Sequence, residues 1–90
     1  MKTLRIKIKG VVQGVFFRKF IKENADELGV RGFVRNLEDG RIEIVIEGRD
    51  EKVNELLEKC KKGPKHSEIK EIEVEEIKHQ GFQDFKVSKL

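Results

Sequence analysis

The sequence predicts an α+β fold in which two helices cover one face of a single antiparallel sheet. Two observations support this fold: apolar and charged residues alternate along the predicted strands, and the elements follow the order strand, helix, strand, strand, helix, strand. Alternation is typical of a sheet with one buried and one solvated face, because a sheet covered on both faces would be apolar throughout. A short C-terminal strand is predicted to add a fifth member to this four-stranded sheet.

The first half of the chain predicts a strand, a helix and a second strand. Residues 3–9 alternate between apolar and basic side chains, and Gly10 is expected to end this first strand. Residues 11–14 form a connection to a helix over about 17–28, which is followed by a strand over 30–37. The buried stripe of the helix is predicted to consist of Phe17, Ile21, Ala25 and Leu28, widened by Phe16 and Phe20.

The second half repeats this pattern after a tight turn. The Asp-Gly pair at 39–40 predicts a hairpin into a strand over 42–46. A second helix is predicted to begin at Asp50, whose side chain is suited to cap it. A strand over 69–77 and a short strand over 85–87 complete the chain. The apolar face of the second helix is predicted to consist of Val53, Leu56, Leu57 and Cys60.

This order of elements is that of the split β–α–β, or ferredoxin-like, sandwich. In this arrangement the first two strands run parallel, separated by one strand. The 90 residues are expected to form one domain. Many unrelated functions use this fold, so the function has to be inferred from a site.

Composition narrows the possible partners. The net charge is +3 although 41% of the residues are charged, and no basic run reaches five residues, which disfavours nucleic acid as a partner. The Lys and Glu bias is of the kind found in proteins of hyperthermophiles. No apolar run is long enough for a membrane span, so we expect a cytoplasmic protein. Cys60, the single cysteine, is predicted to be a small buried apolar side chain.

Familiar catalytic groups are missing from the sequence. His66 and His79 stand in polar stretches without a companion at metal-ligand spacing, so both are predicted to be surface histidines. Neither Ser67 nor Ser88 has the context of a nucleophile. The carboxylates are expected to be solvated on strand and helix faces. An enzyme built from this chain would therefore have to work without the usual side-chain nucleophile, metal ion or acid–base pair.

One stretch has the composition of an anion site. Residues 10–18 read Gly-Val-Val-Gln-Gly-Val-Phe-Phe-Arg and join the first strand to the first helix. A helix N-terminus presents unpaired N–H groups and a partial positive charge, Gly14 allows the backbone to curl, and Arg18 offers a planar fork that suits phosphate. The three apolar residues at 15–17 cannot all face the core and would form an apolar rim. An ordinary tight turn with a surface arginine is the alternative.

A second polar group is predicted at the same edge of the molecule. Residues 32–36 read Gly-Phe-Val-Arg-Asn and end the second strand, so Asn36 lies near the loop that follows the first strand. The alternative role for Asn36 is that of a turn residue bonding its own backbone.

Both stretches resemble the signatures of one family, the acylphosphatases. Residues 10–18 resemble the first signature, and residues 32–36 with Gly40 resemble the second. Two departures are Phe33, where Trp is frequent, and Leu37, where some members carry a hydroxyl. The resemblance implies hydrolysis of small acyl phosphates to a carboxylate and inorganic phosphate, without metal or cofactor, with phosphate or sulfate as product or inhibitor.

The resemblance also implies roles for individual residues. Arg18 would bind the phosphoryl group, and Asn36 would orient the attacking water. Backbone N–H groups would complete the binding site, and they belong to Gln13, Gly14, Val15, Phe16, Phe17 and Arg18.

Two other functions remain open on the sequence alone. The first is a non-catalytic, regulatory domain of the same fold that binds an anion or another small ligand. The second is an RNA-binding domain, because residues 31–34 faintly resemble an RNA-recognition motif, although the low net charge argues against it. Because the chain starts at Met1 and ends soon after its last strand, we expect a stand-alone enzyme. A monomer is the default expectation for its oligomeric state.

Overall fold

Two helices pack on one face of a five-stranded mixed sheet. The computed structural model describes residues 1–11 and 14–88. Within these residues, neither helix is both long enough and apolar enough to span a membrane. The elements are β1 (Lys2–Val11), α1 (Gly14–Leu28), β2 (Arg31–Asn36), β3 (Ile42–Gly48), α2 (Asp50–Lys62), β4 (Glu68–Glu76) and β5 (Phe85–Val87).

The strand order places the ends of β1 and β2 at the same edge of the sheet. The order is β4-β1-β3-β2-β5, with β5 parallel to β2 and all other pairs antiparallel. Because β1 and β2 both run antiparallel to β3, they run parallel to each other. Ile8 and Asn36 each lie opposite Ile42, one on either side of β3. The predicted ferredoxin-like topology and the predicted common edge are both confirmed.

The core fills the space between the helices and the sheet. α1 packs against β2 and β5, and α2 packs against β1, β3 and β4. The predicted helical stripes supply much of it, and burial raises the pKa of the Cys60 thiol to about 12, as suits a small apolar core residue. The buried side chains of the core include Leu4, Ile6, Ile8, Phe17, Ile21, Ala25, Val34, Ile42, Ile44, Ile46, Val53, Leu56 and Cys60.

The start of α1 differs from the prediction. The helix begins at Gly14, three residues before the predicted start. Phe17 is fully buried, but Phe16 is 67% exposed and does not widen the core stripe as predicted. Successive residues of a helix point about 100° apart, so only one of these two neighbours faces the sheet.

Gly10 does not end β1, contrary to the prediction. The strand continues to Val11 through a register shift between Lys9 and Gly10, where β1 pairs with β4. A Cβ at Gly10 would lie 2.1 Å from the carbonyl oxygen of Glu68. The glycine is therefore needed for close approach of two backbones, immediately before the loop that leads to α1.

The start of α2 is also not capped as predicted. Its N-cap is Arg49, which makes no side-chain capping hydrogen bond. Asp50 is instead the first helical residue, and its carboxylate lies 3.3 Å from the N-terminal amine of Met1. There it favours the helix through its charge near the positive end of the helix dipole.

A buried carboxylate holds the connection between β4 and β5. Residues 77–84 join two strands at opposite edges of the sheet, across the face that the helices leave open. Glu47, 1% exposed, accepts hydrogen bonds from the N–H groups of Gln80 (2.6 Å), Gly81 (2.9 Å) and Phe82 (3.1 Å). The Thr3 hydroxyl donates a fourth bond at 2.6 Å. The prediction that the carboxylates are solvated is therefore wrong for Glu47, which fixes the path of the chain into β5.

We expect Glu47→Gln to lower the free energy of unfolding by ~2 kcal/mol at neutral pH, because bonds to a charged acceptor are worth roughly 1.5–3 kcal/mol. Burial alone would raise the pKa of Glu47, but the backbone N–H groups and the Thr3 hydroxyl outweigh it, so the pKa lies below its ordinary 4.5. The extra stability is therefore present above about pH 4.5 and is lost as the pH falls through the lowered pKa.

Denaturant unfolding at several pH values measures this difference between the wild type and Glu47→Gln. The gap should close in acid, where the protonated glutamate resembles glutamine. Glu71→Gln, on the exposed strand β4, is the matched control and should leave stability nearly unchanged at every pH. A gap that stays constant into strong acid would contradict the role of the ionised carboxylate.

Candidate active site

The first turn of α1 lies at the edge where β1 and β2 end. The N–H groups of a first helical turn have no partner within the helix and carry partial positive charge. No acidic side chain lies in the first turn of α1, so none of its own residues neutralises this end. Gly14 to Arg18, predicted from the sequence to bind the anion, are the first five residues of the helix; Gln13 lies outside the described residues.

Arg18 is placed to add charge to this turn. Its side chain is partly buried. It stands four residues after Gly14, and residues four apart share a helix face. Because helical side chains lean toward the N-terminus, we expect the guanidinium of Arg18 to extend back toward the turn in which the unpaired N–H groups lie.

Asn36 ends β2 on the same side of the sheet as α1. It lies opposite Ile42, in line with the buried Val34 two residues earlier, so its side chain belongs to the helix-covered face. Its position at the last residue of the strand leaves it only partly buried. Among the described residues, none is seen to hydrogen-bond its side-chain amide.

The hairpin after Asn36 is stabilised by hydrogen bonds that do not involve the Asn36 side chain. The Leu37 N–H donates to the Arg41 carbonyl at 2.7 Å, and the Gly40 N–H donates to the Leu37 carbonyl at 3.0 Å. The Asp39 carboxylate accepts from the Arg41 N–H at 3.0 Å. The alternative role of Asn36, as a turn residue bonding its own backbone, is therefore not observed.

The neighbouring arginine of the second motif faces the other way. Arg35 donates from Nε to a carboxylate oxygen of Glu43 at 2.7 Å, and its guanidinium lies 5.7 Å from the ring centroid of Phe33. Glu43 is 6% exposed, so the expectation of a solvated carboxylate is wrong here as well. Of the two arginines in the motifs, Arg18 is on the helix side of the sheet and Arg35 is on the open side.

Gly32 of the second motif has a structural role. Its φ is +142°, and a Cβ there would lie 1.8 Å from the carbonyl oxygen of Val45. A side chain at this position would push β2 away from β3 and displace Asn36 four residues later. The glycine therefore keeps the strand that carries Asn36 in place.

An apolar cleft lies beside the first turn of α1, and the sequence analysis did not predict it. The turn between α2 and β4 approaches α1 closely enough to enclose a cleft of about 540 Å³. His66, predicted to be a surface histidine, lines it. The signal in the sequence was the apolar run at 15–17: as predicted, it does not all face the core, because Val15 and Phe16 are each 67% exposed.

No metal site is found in residues 1–11 and 14–88: no group of three or more His, Cys, Asp and Glu side chains there is arranged to hold a metal ion. His79 lies 3.3 Å from Glu47, at the opposite end of β3 from Ile42. The candidate site at this edge brings together the N–H groups of the first turn of α1, Arg18, Asn36 and an apolar cleft.

Comparisons with known proteins agree on one family. The acylphosphatase family model matches residues 4–87. The chain is 51% identical over 75 residues to the acylphosphatase of Rubrobacter xylanophilus, covering 83% of this chain and 68% of the relative. It is 43% identical over 88 residues to the acylphosphatase of Syntrophus aciditrophicus, covering 97% of this chain and 92% of the relative.

The solved structures lead to the same result. The fold superposes on the crystal structure of the acylphosphatase from Bacillus subtilis with a TM-score of 0.91 and 36% identity, covering 98% of this chain and 99% of that one. Fold and sequence agree over nearly the whole length. The chain therefore belongs to the acylphosphatase family, and its activity is the hydrolysis of an acyl phosphate to a carboxylate and inorganic phosphate.

Proposed function

We propose that the phosphoryl group of the substrate binds to the backbone N–H groups of residues 13–18 and to the guanidinium of Arg18, and that Asn36 orients the attacking water. The observation that carries this proposal is the shared edge: α1 begins, and β2 ends, on the same side of the sheet. The N–H groups and the guanidinium match the charge of a phosphoryl group. The amide of Asn36 has the donor and the acceptor needed to fix a water molecule.

In this reaction the protein needs only to position the substrate and the water and to stabilise the developing charge. Water attacks the phosphorus, the bond from phosphorus to the bridging acyl oxygen breaks, and the carboxylate leaves with the electron pair. A carboxylate is a weak base, so it leaves without being protonated. The proton of the water passes to a phosphoryl oxygen, which yields inorganic phosphate. Positioning and electrostatic stabilisation then supply the rate enhancement.

This mechanism predicts phosphate release without a metal ion. Purified protein should hydrolyse acetyl phosphate and benzoyl phosphate well above their spontaneous rates, and EDTA should leave kcat unchanged. A coupled assay of inorganic phosphate measures both. Restoration of lost activity by one divalent metal after chelation would contradict the mechanism, and hydrolysis at only the spontaneous rate would favour a non-catalytic anion-binding domain.

Inorganic phosphate and sulfate should inhibit competitively and stabilise the fold. An anion bound only by the folded site raises the free energy of unfolding by ~2.7 kcal/mol at a concentration a hundredfold above its Kd. For a domain of this size that corresponds to a rise in Tm of roughly 10 °C or more. Melting in phosphate and in chloride at matched ionic strength measures it. Equal Tm values at inhibitory phosphate concentrations would argue against this binding site.

We also propose that residues 1–90 form one domain, which works as a monomer in the cytoplasm, without nucleic acid or a membrane as partner. The mixed surface charge supports this: some cations at the surface are paired with carboxylates, as in Arg5 with Glu75 (3.1 Å) and Lys22 with Asp26 (2.9 Å), and the net charge of the sequence is only +3. A net charge this small gives a polyanion or an anionic lipid surface little electrostatic attraction to the protein. Size-exclusion chromatography with light scattering tests the monomer.

A further inference from the structure

Strand β4 lies at one edge of the sheet and is paired on one side. Its nine residues, Glu68–Glu76, run antiparallel to β1, and no second strand within residues 1–11 and 14–88 pairs with it. On an edge strand the backbone N–H and C=O groups that point away from the sheet are free to pair with a further strand. We call this unpaired side of residues 68–76 the β4 edge. It is three times as long as β5, the strand at the other edge.

The open face of β4 carries a row of carboxylates. Three glutamates at alternate positions each lie opposite a cation of β1. The pairs are Glu71 with Lys9, Glu73 with Lys7 and Glu75 with Arg5. The guanidinium of Arg5 donates to the carboxylate of Glu75 at 3.1 Å, and all three glutamates are exposed. This row therefore borders the β4 edge as well as β1.

The opposite face of β4 carries apolar side chains that continue the core. Ile72 and Val74 lie opposite Ile8 and Ile6, which are fully buried under the helices. Ile72 is only partly buried, however, and Val74 is 42% exposed. The apolar surface of the core thus reaches the β4 edge and is left partly uncovered there.

Strand β1 shows which side-chain pattern fits against β4. It places apolar residues on the helix side and basic residues on the open face in strict alternation over residues 4–9. Neighbouring strands are about 4.8 Å apart on either side of a strand, so a newcomer at the β4 edge would meet the same two rows as β1 does. The same alternation of apolar and basic residues is therefore complementary to this edge.

A second copy of the chain does not fit the β4 edge. Residues 68–76 contain five glutamates and one lysine, so two such edges side by side would bring carboxylates against carboxylates. Like charges on neighbouring strands are destabilising, and charged side chains are a common means of preventing edge-to-edge association. The charge of this edge thus favours a cationic partner over a second copy.

We propose that the β4 edge binds an extended segment of a partner protein in which apolar and basic residues alternate, and that this segment adds a sixth strand to the sheet. Main-chain hydrogen bonds would supply affinity, and alternate side chains would supply specificity. The basic side chains would pair with the carboxylate row, and the apolar ones would cover Ile72 and Val74. Neither Arg18 nor Asn36 takes part, so the proposal does not depend on the phosphoryl site.

A peptide with the sequence of residues 3–9, Thr-Leu-Arg-Ile-Lys-Ile-Lys, is the probe, with both ends blocked to remove terminal charge. Titrated into the ¹⁵N-labelled protein, it should shift the amide resonances of residues 68–76 and saturate. Two control peptides separate strand pairing from simple charge attraction. A peptide of the same composition with its apolar and basic residues in separate blocks should bind at least tenfold more weakly. A peptide with glutamate in place of the three cations should not bind.

Two N-methylated forms of the probe test the main-chain hydrogen bonds. A strand pairs with its neighbour through the amides of every second residue, so methyl groups on one set of amides block pairing and on the other set point away. One form is methylated at the three basic residues and the other at the leucine and the two isoleucines. One of the two should lose binding at least tenfold while the other retains it. Equal binding of both would contradict strand addition.

Substitution of the carboxylates tests the charge complementarity. Glu71→Gln combined with Glu73→Gln should weaken binding of the probe about threefold or more, the scale of losing exposed ion pairs. Glu55→Gln combined with Glu58→Gln makes the same change in net charge on the exposed surface of α2 and should leave binding unchanged. Both double variants should keep the wild-type kcat for acetyl phosphate. Equal weakening by the two would reduce the effect to net charge and contradict the proposal.

The positions of the shifted resonances distinguish the other possible occupants. Shifts along residues 42–48 as large as those at 68–76 would mean that the peptide replaces β1 beside β3, and the proposal would be wrong. Shifts at 68–76 that appear on raising the protein concentration without peptide would assign the β4 edge to a second copy, which also contradicts it. Tight binding of the peptide with separate blocks would show attraction of charge without strand pairing.

Discussion

Replacement of Arg18 by glutamine is expected to lower kcat for acetyl phosphate by ~10²–10³, the usual loss when one preorganised group is removed from a reacting centre. Arg18 is proposed to contact the phosphoryl group before and during the reaction, more strongly as charge builds up. The same variant should therefore weaken competitive inhibition by inorganic phosphate about tenfold or more, since a charged hydrogen bond contributes roughly 1.5–3 kcal/mol. Steady-state kinetics with and without phosphate measure both effects.

The structure supplies a matched control for Arg18. Arg35 lies beside Asn36 in the chain, but its guanidinium is engaged with Glu43 on the open face of the sheet. Arg35→Gln should leave kcat and phosphate inhibition near the wild type. Arg18→Lys keeps the charge without the planar fork, so it should recover only part of the activity. If Arg35→Gln were as inactive as Arg18→Gln, with both folded by circular dichroism, the assignment of Arg18 to the phosphoryl group would be wrong.

The fold was predictable because its signals are local and repeated. Alternation along β1 and β3 places Ile6 and Ile44 on the same buried face, and they do lie opposite each other. The Asp-Gly pair set the hairpin between β2 and β3, and that hairpin fixed the register that brings Asn36 opposite Ile42. Once the order of elements was known, the parallel course of β1 and β2 followed, and with it the edge on which the site lies.

Features that depend on distant parts of the chain could not be predicted in this way. Glu47 alternates with apolar neighbours as a solvated strand residue would, and it is buried because residues 80–82 return across the open face of the sheet. The cleft has the same origin, because His66 is 50 residues from Phe16 in sequence and meets the start of α1 only through the packing of α2 against the sheet. The predicted capping residue of α2 was wrong for a smaller reason. The helix begins one residue earlier than predicted, so Asp50 is its first residue and not its N-cap.

Asn36→Ala is expected to lower kcat by a similar ~10²–10³ while inhibition by inorganic phosphate stays close to that of the wild type. Asn36 is proposed to hold the attacking water and not the substrate. An interaction made only on the way to the transition state lowers kcat without altering ground-state binding. The fold should persist, because Asn36 ends its strand, is only partly buried and forms no side-chain bond with the described residues around it.

Comparing phosphate inhibition of the two variants shows whether Arg18 and Asn36 have different roles at the site. The ratio of phosphate inhibition constants, variant over wild type, should stay near one for Asn36→Ala and should rise about tenfold or more for Arg18→Gln. Asn54→Ala, an exposed asparagine on α2, controls for loss of an amide elsewhere and should change neither quantity. If Asn36→Ala weakens phosphate inhibition as severely as Arg18→Gln while remaining folded, Asn36 contacts the phosphoryl group directly, and the water must be oriented by a different group.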